Sequence, residues 1–168
     1  RMVARPADVD AIYRWEIDNS QWFAERVRQA LRKQTLDRGR DCFFGYQSEC
    51  LEVLEDLKRS GVMTIVDLAG PGQVEDCLVA NEAERWPGWA KLDPIVPSFY
   101  YDRVLAECRI ADLALVNSMW SRKAWIEQGV PNDKIIVVPL AYEPAVAEPA
   151  SRKEHGRPLN VLWLGSVI

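Results

Sequence analysis

The chain has 168 residues and a mass of 19.2 kDa, with 48% hydrophobic and 27% charged residues, a composition that fits one folded domain and excludes disordered, collagen-like and low-complexity classes. Its 21 Lys and Arg against 25 Asp and Glu give a net charge of -4, which offers no general field to a phosphate backbone and argues against nucleic-acid binding. The longest apolar stretch, Ile135 to Tyr142, is interrupted by Pro139 and is far below the roughly 18 residues of a transmembrane helix, so no transmembrane helix is expected, and peripheral membrane contact stays open.

The segment from Ala7 to Arg38 lacks Pro and Gly and carries Ile12, Trp15, Trp22, Phe23, Val27 and Leu31 at helical spacing, predicting one or two helices with Asp18-Asn19-Ser20 as a break or cap. Cys42 to Gly45 predicts a strand. Ser48 is the expected cap of the next helix, with Glu49 and Glu52 in its first turn, Cys50, Val53, Leu54 and Leu57 on one face, Glu55 four before Arg59, and Gly61 as its stop. Val62 to Val66, apolar and rich in β-branched residues, predicts a strand covered on both faces. A helix from Val74 to Arg85, a turn at Trp86-Pro87-Gly88-Trp89 and a helix from Ser98 to Ile110 follow. The pattern then repeats as strand Leu113 to Val116, cap Ser118, helix Met119 to Gln128, stop Gly129 and strand Ile135 to Val138. Alternating strands and helices predict an α/β domain, a Rossmann-like parallel sheet flanked by helices. Glu143-Pro144, Glu148-Pro149 and Arg157-Pro158 mark an irregular linker, and Leu159 to Leu164 resumes as a strand, giving a first domain over 1–142, a linker over 143–158 and the opening strand of a second domain over 159–168. The chain opens on Arg1 with no secretion-signal pattern and reads as a piece of a longer protein.

Cys42, Cys50, Cys77 and Cys108 form no C-x-x-C pair, and His155 is distant, so no metal site is expected and reduced thiols in a cytoplasmic protein are. Ligands of parallel sheets bind beyond the carboxyl ends of the strands. The richest such loop is Asp67-Leu68-Ala69-Gly70-Pro71-Gly72-Gln73, where Asp67 could bind a hydroxyl or take a proton and glycines let backbone amides approach a ligand; a plain turn explains the same residues. Glu75 stands where the third glycine of a dinucleotide fingerprint belongs, and phosphate-loop and nucleophile-elbow motifs are absent. Asn117 and Ser118 could hold an anionic or hydroxyl-bearing ligand, or serve as an ordinary N-cap.

The stretch from Glu107 through Asp112, Asn117, Ser118, Trp120, Ser121 and Arg122, continuing through Gly129-Val130-Pro131 and Lys134 to Pro139, resembles the GT-B glycosyltransferases of family 4, with their E-x-x-x-A-D helix end, S-x-x-S-R-like helix, G-V-P-x-x-K-I turn and V-V-P strand. The resemblance is specific over 97–168, rests on element order over 41–96 and is weak over 1–40. It implies the N-terminal half of a two-domain enzyme, with the acceptor held mainly by the first domain and a nucleotide-diphosphate sugar by the second. The implied reaction transfers the sugar to an acceptor hydroxyl, retaining configuration, without a metal and with no cofactor beyond the donor substrate. Asp67, Gly70 and Gln73 would line the acceptor side, while Gly165 and Ser166 match the start of the phosphate-facing region. Many relatives carry His where this chain has Asp67, and the family's Glu-x7-Glu donor motif would lie past Ile168. A non-catalytic α/β binding or assembly module and a GT-B sugar-nucleotide epimerase are the alternatives.

Overall fold

The computed structural model describes residues 8–88 and 95–141; the predicted linker, the strand over 159–164, and Gly165 and Ser166 lie outside the described residues. Helix α1 (Val9–Leu31) begins where Asp8 accepts a hydrogen bond from the Ala11 amide at 3.0 Å. It runs unbroken through Asp18-Asn19-Ser20, so the possible break does not occur: Asp18 and Asn19 face solvent, while Ala24 packs against Val53, Leu57 and Val62 in a small core. Strand β1 (Cys42–Tyr46) leads into α2 (Leu51–Ser60), β2 (Met63–Leu68), α3 (Gln73–Arg85), α4 (Ser98–Ile110), β3 (Leu113–Val116), α5 (Met119–Glu127), a 3-10 turn (Asn132–Lys134) and β4 (Ile135–Val137).

Among the described residues the four strands are parallel, in the order β1-β2-β3-β4. Parallel crossovers are right-handed, and the order does not reverse among these described strands, so each of their three connections returns on the same side of the sheet. The register agrees. Val66 pairs with Ala114 and Ala114 with Ile135, and this row packs with Leu54 of α2, Val104 and Cys108 of α4 and Trp125 of α5 into the main core. The opposite face carries Phe44, Tyr46, Met63, Ile65, Asp67, Leu113, Leu115 and Ile136, none of them buried. The expectation that β2 is covered on both faces is therefore corrected: Thr64, Val66 and Leu68 are buried, while Met63, Ile65 and Asp67 are not. A continuous apolar run does not reveal that its crossovers all lie on one side.

Helix α2 buries Cys50, Val53, Leu54 and Leu57 as its spacing predicts, and Gly61 ends it in the left-handed region at φ 73°. Two local expectations fail. Arg59 donates to Asp56 rather than pairing with Glu55, three residues being as close as four on a helix surface. Ser48 is not the helix cap; it sits at φ 68°, two residues before the N-cap Cys50, whose side chain makes no capping bond.

Candidate functional site

The group that takes over the role expected of Ser48 comes from another helix. Glu107 of α4 is fully buried and accepts the Ser48 amide at 2.6 Å through Oε2 and the Cys50 amide at 3.0 Å through Oε1. A carboxylate at a helix N-terminus meets free N–H groups and the positive end of the macrodipole. Arg103, one turn earlier on α4, donates Nε to the Ser48 carbonyl at 2.8 Å and grips Glu52 with both terminal nitrogens at 2.8 Å, the bidentate geometry that favours Arg over Lys. Burial pushes the Glu107 carboxyl up to about 7, against the opposing pull of the Cys50 and Ser48 amides and Arg103. Burial is the largest single influence on Glu52 and raises it, but the hydrogen bonds and charge of Arg103, a backbone amide and the charge of Arg28 together outweigh it and hold the carboxyl below its ordinary value. The neighbouring Cys50 thiol is pushed up by burial and by Glu107, and Cys108 is pushed up to about 12 for the same reasons. Neither is a reactive thiolate at neutral pH. All four cysteines are unpaired.

The other residues of the E-x-x-x-A-D and following pattern also hold elements together. Asp112 accepts the Thr64 amide and hydroxyl, both at 2.9 Å, fixing the start of β3 to β2. Ser118 caps α5 by accepting the Ser121 amide at 3.1 Å, as its position predicts. Arg122 donates to Asn132 Oδ1 at 2.8 Å. Lys134 reaches back to the end of α4 and donates to the carbonyls of Arg109 at 2.8 Å, Ala111 at 2.7 Å and Cys108 at 3.4 Å, placing a cation where the helix dipole favours one. Lys134→Met is expected to lower the unfolding free energy by about 2 kcal/mol, since a charged donor to several helix-end carbonyls is lost; urea denaturation checks this, and a change under about 0.5 kcal/mol would show the contacts to be idle.

The loops at the carboxyl ends of the strands meet along one edge. Gln47 at the exit of β1 donates its amide to the Asp67 carbonyl at 3.0 Å and accepts the Ala69 amide at 3.1 Å. Asn117 at the exit of β3 accepts the Ser121 hydroxyl at 3.0 Å and donates to the Ala69 carbonyl at 3.4 Å. Trp125 Nε1 donates to the Gly70 carbonyl and Gln128 Nε2 to the Pro71 carbonyl, each at 2.8 Å, while Gln128 Oε1 accepts the Gln73 amide at 2.9 Å. The loop from Ala69 to Gln73 is thus fastened to α5.

Among the residues singled out from sequence, Gly70, Gln73, Asn117 and Ser118 share this edge. Asp67 does not face them: by strand alternation its carboxylate lies on the uncovered face, in register with Tyr46 and Leu115. Glu107, Arg103 and Lys134 were not expected to hold the loops. Their partners lie 23 to 59 residues away, and no local spacing announces such contacts. Among the described residues no group of His, Cys, Asp and Glu is arranged to hold a metal ion, and no helix is long and apolar enough to cross a membrane.

Among the described residues the fold and site define a parallel α/β layer, helices gathered on one face and loops joined along its carboxyl edge. No family model, curated protein or solved structure matches this chain.

Proposed function

We propose that the chain forms the acceptor side of a glycosyltransferase that moves a sugar from a nucleotide-diphosphate donor to an acceptor hydroxyl, with retention and without a metal, in a cleft completed by a second, nucleotide-sugar lobe. The observation that carries this reading is the unreversed order of the described strands. Ligand crevices of open parallel sheets form where the order reverses; here the carboxyl-edge loops form one wall of a groove and require another. The resemblance of Glu107 to Pro139 to family 4 supplies the chemistry. In this reading the acceptor lies where the carboxyl edge meets the open face of the sheet, so that Asp67 orients its hydroxyl or takes its proton from that face while Gly70 and Gln73 line it from the edge, and Tyr46, Met119 and Trp120, all exposed, offer apolar and aromatic surface near the same end of the sheet. Gly165 and Ser166 are the donor-side contacts. The departing diphosphate requires aimed N–H groups and cations, which the second lobe provides.

The test is a panel of UDP-, GDP- and ADP-sugars incubated with the intact gene product, expected to release a nucleoside diphosphate, with Asp67→Asn lowering kcat/KM by about 100-fold. The 168-residue chain alone is expected to show no turnover and weak nucleotide binding. No hydrolysis or transfer from any donor, or tight nucleotide-sugar binding by the 168 residues alone, would overturn the reading. A second reading, a non-catalytic binding or assembly module, is favoured by the uncovered apolar face of the sheet and by the structural partners of Glu107, Asp112, Ser121 and Lys134. It predicts self-association or partner binding, without donor consumption, that is lost in Phe44→Lys.

A further inference from the structure

A cavity of about 340 Å³ lies between the last turns of α1, the turn through Gln34 and Arg38, the second half of α2 and Val62. It sits at the amino end of β2, at the other end of the sheet from the loops described above. Its floor is Leu31, Leu36, Val53, Leu57 and Val62, which belong to the smaller core. Its rim carries Arg28, Arg32, Arg38 and Asp56.

The charges on this rim are not equally occupied. Arg28 donates to Asp56 at 2.6 Å and to Glu25 at 3.0 Å, and Arg59 takes the other oxygen of Asp56. Hydrogen bonding to Arg28, and then the charges of Arg28 and Arg59, hold the Asp56 carboxyl below its ordinary value, so the acid is already neutralised by two arginines. Arg32 and Arg38 form no ion pair with any described residue. Arg38 lies across the end of α2, its Cδ and Nε each 3.5 Å from where a Cβ on Gly61 would stand. Two unspent guanidinium groups therefore border an apolar floor on a chain of net charge -4. Guanidinium forks match carboxylate and phosphate oxygens, and an apolar pocket with a few polar groups at its mouth takes a ligand whose body is apolar and whose head is charged.

We propose that this cavity binds a small amphiphilic anion, an aliphatic chain ending in a carboxylate or phosphate monoester, with the chain against Leu31, Leu36 and Leu57 and the oxyanion held by Arg32 and Arg38. The site is independent of the glycosyltransferase reading and stands or falls separately. Nothing in the loops at the opposite end of the sheet contributes to it.

The experiment is a 1H–15N correlation titration of the 168-residue chain with decanoate, octyl phosphate, octan-1-ol and inorganic phosphate, each below its aggregation concentration. At least one amphiphilic anion is expected to shift the amides of residues 31–38 and 57–62, and the tighter of the two names the headgroup. Octan-1-ol and inorganic phosphate, each carrying half of the ligand, are expected to bind roughly tenfold more weakly or worse. The double variant Arg32→Gln, Arg38→Gln is expected to bind the anion roughly tenfold more weakly while binding octan-1-ol as before. Both side chains are exposed, so its urea midpoint should be unchanged. Undiminished anion binding by that variant, shifts gathered instead at Phe44, Tyr46 and Met63 for all amphiphiles, or no shift with either anion would overturn the proposal.

Discussion

Glu107→Ala is expected to lower the unfolding free energy by about 3 kcal/mol, with the loss showing as a reduced urea midpoint at an unchanged slope. The substitution leaves two amides at the mouth of α2 without an acceptor and opens a cavity at a position with no exposed surface. Arg103 keeps Glu52 and the Ser48 carbonyl, which limits the damage to one end of the cluster. The two residues act on the same loop, so Glu107→Ala combined with Arg103→Met should be non-additive by more than about 0.5 kcal/mol. Additivity would mean that they hold the loop separately.

Glu107 also gives the protein a pH dependence opposite to that of ordinary acid denaturation. Its carboxyl stands at about 7 in the folded chain against 4.5 for the free side chain, so between those values the folded state binds a proton that the unfolded state has released. The stabilisation is fully present below pH 4.5 and is lost as pH rises through 7, a change on the order of 3 kcal/mol. Glu52, Asp56 and Asp112, all held below their ordinary values by Arg103, Arg28 and Thr64 with Lys58 respectively, act in the opposite sense and lose their contributions in acid. Stability is therefore expected to peak near pH 5. Glu107→Gln, which cannot ionise, should flatten the decline from pH 5 to 7.5, and the comparison with the parent chain cancels His155. Parallel curves for the two proteins across that interval would show that Glu107 is ionised throughout.

What the sequence disclosed and what it hid divide along the range of the interactions. The β-α-β units were legible because each boundary is local: β-branched runs such as Met63 to Val66, caps such as Ser118, and glycines such as Gly61 that accept a left-handed turn. Ser48 was misread by the same logic, because a hydroxyl followed by acidic residues is what a capped helix start looks like, and nothing nearby shows that a carboxylate from α4 occupies that position instead. The sheet's uncovered face was hidden for a related reason. Phe44, Ile65 and Leu113 are as apolar as their buried neighbours, and only the strand order, a property of the whole fold, decides which row the helices cover. At the carboxyl edge, the glycines and Asn117 were singled out by the expectation that ligands of parallel sheets bind there, and the fold joins their loops. Asp67 was grouped with them by adjacency in sequence, although strand alternation turns its side chain to the other face.

Gly72→Ala separates the two roles open to the glycines of that edge. Gly72 adopts φ 69° and ψ -151°, a region occupied almost only by glycine, and leaving it costs about 1–3 kcal/mol. A Cβ built there would stand 2.5 Å from Gln128 Oε1 and 2.8 Å from the indole of the buried Trp125, the two residues that fasten the loop through Pro71, Gln73 and Gly70. Strain and overpacking together are expected to lower stability by about 3 kcal/mol, with displacement of the Trp125 indole N–H resonance as its bond to Gly70 is disturbed. Gly70→Ala is the control. Gly70 is not in the left-handed region, and its Cβ would meet only Glu75 Oε2 at 3.5 Å, so its stability should change by less than about 0.5 kcal/mol. If the loop serves an acceptor, Gly70→Ala should raise KM in a stably folded protein, whereas Gly72→Ala acts through the fold. A Gly72→Ala variant as stable as the parent would mean that the loop is not fastened to α5 as described.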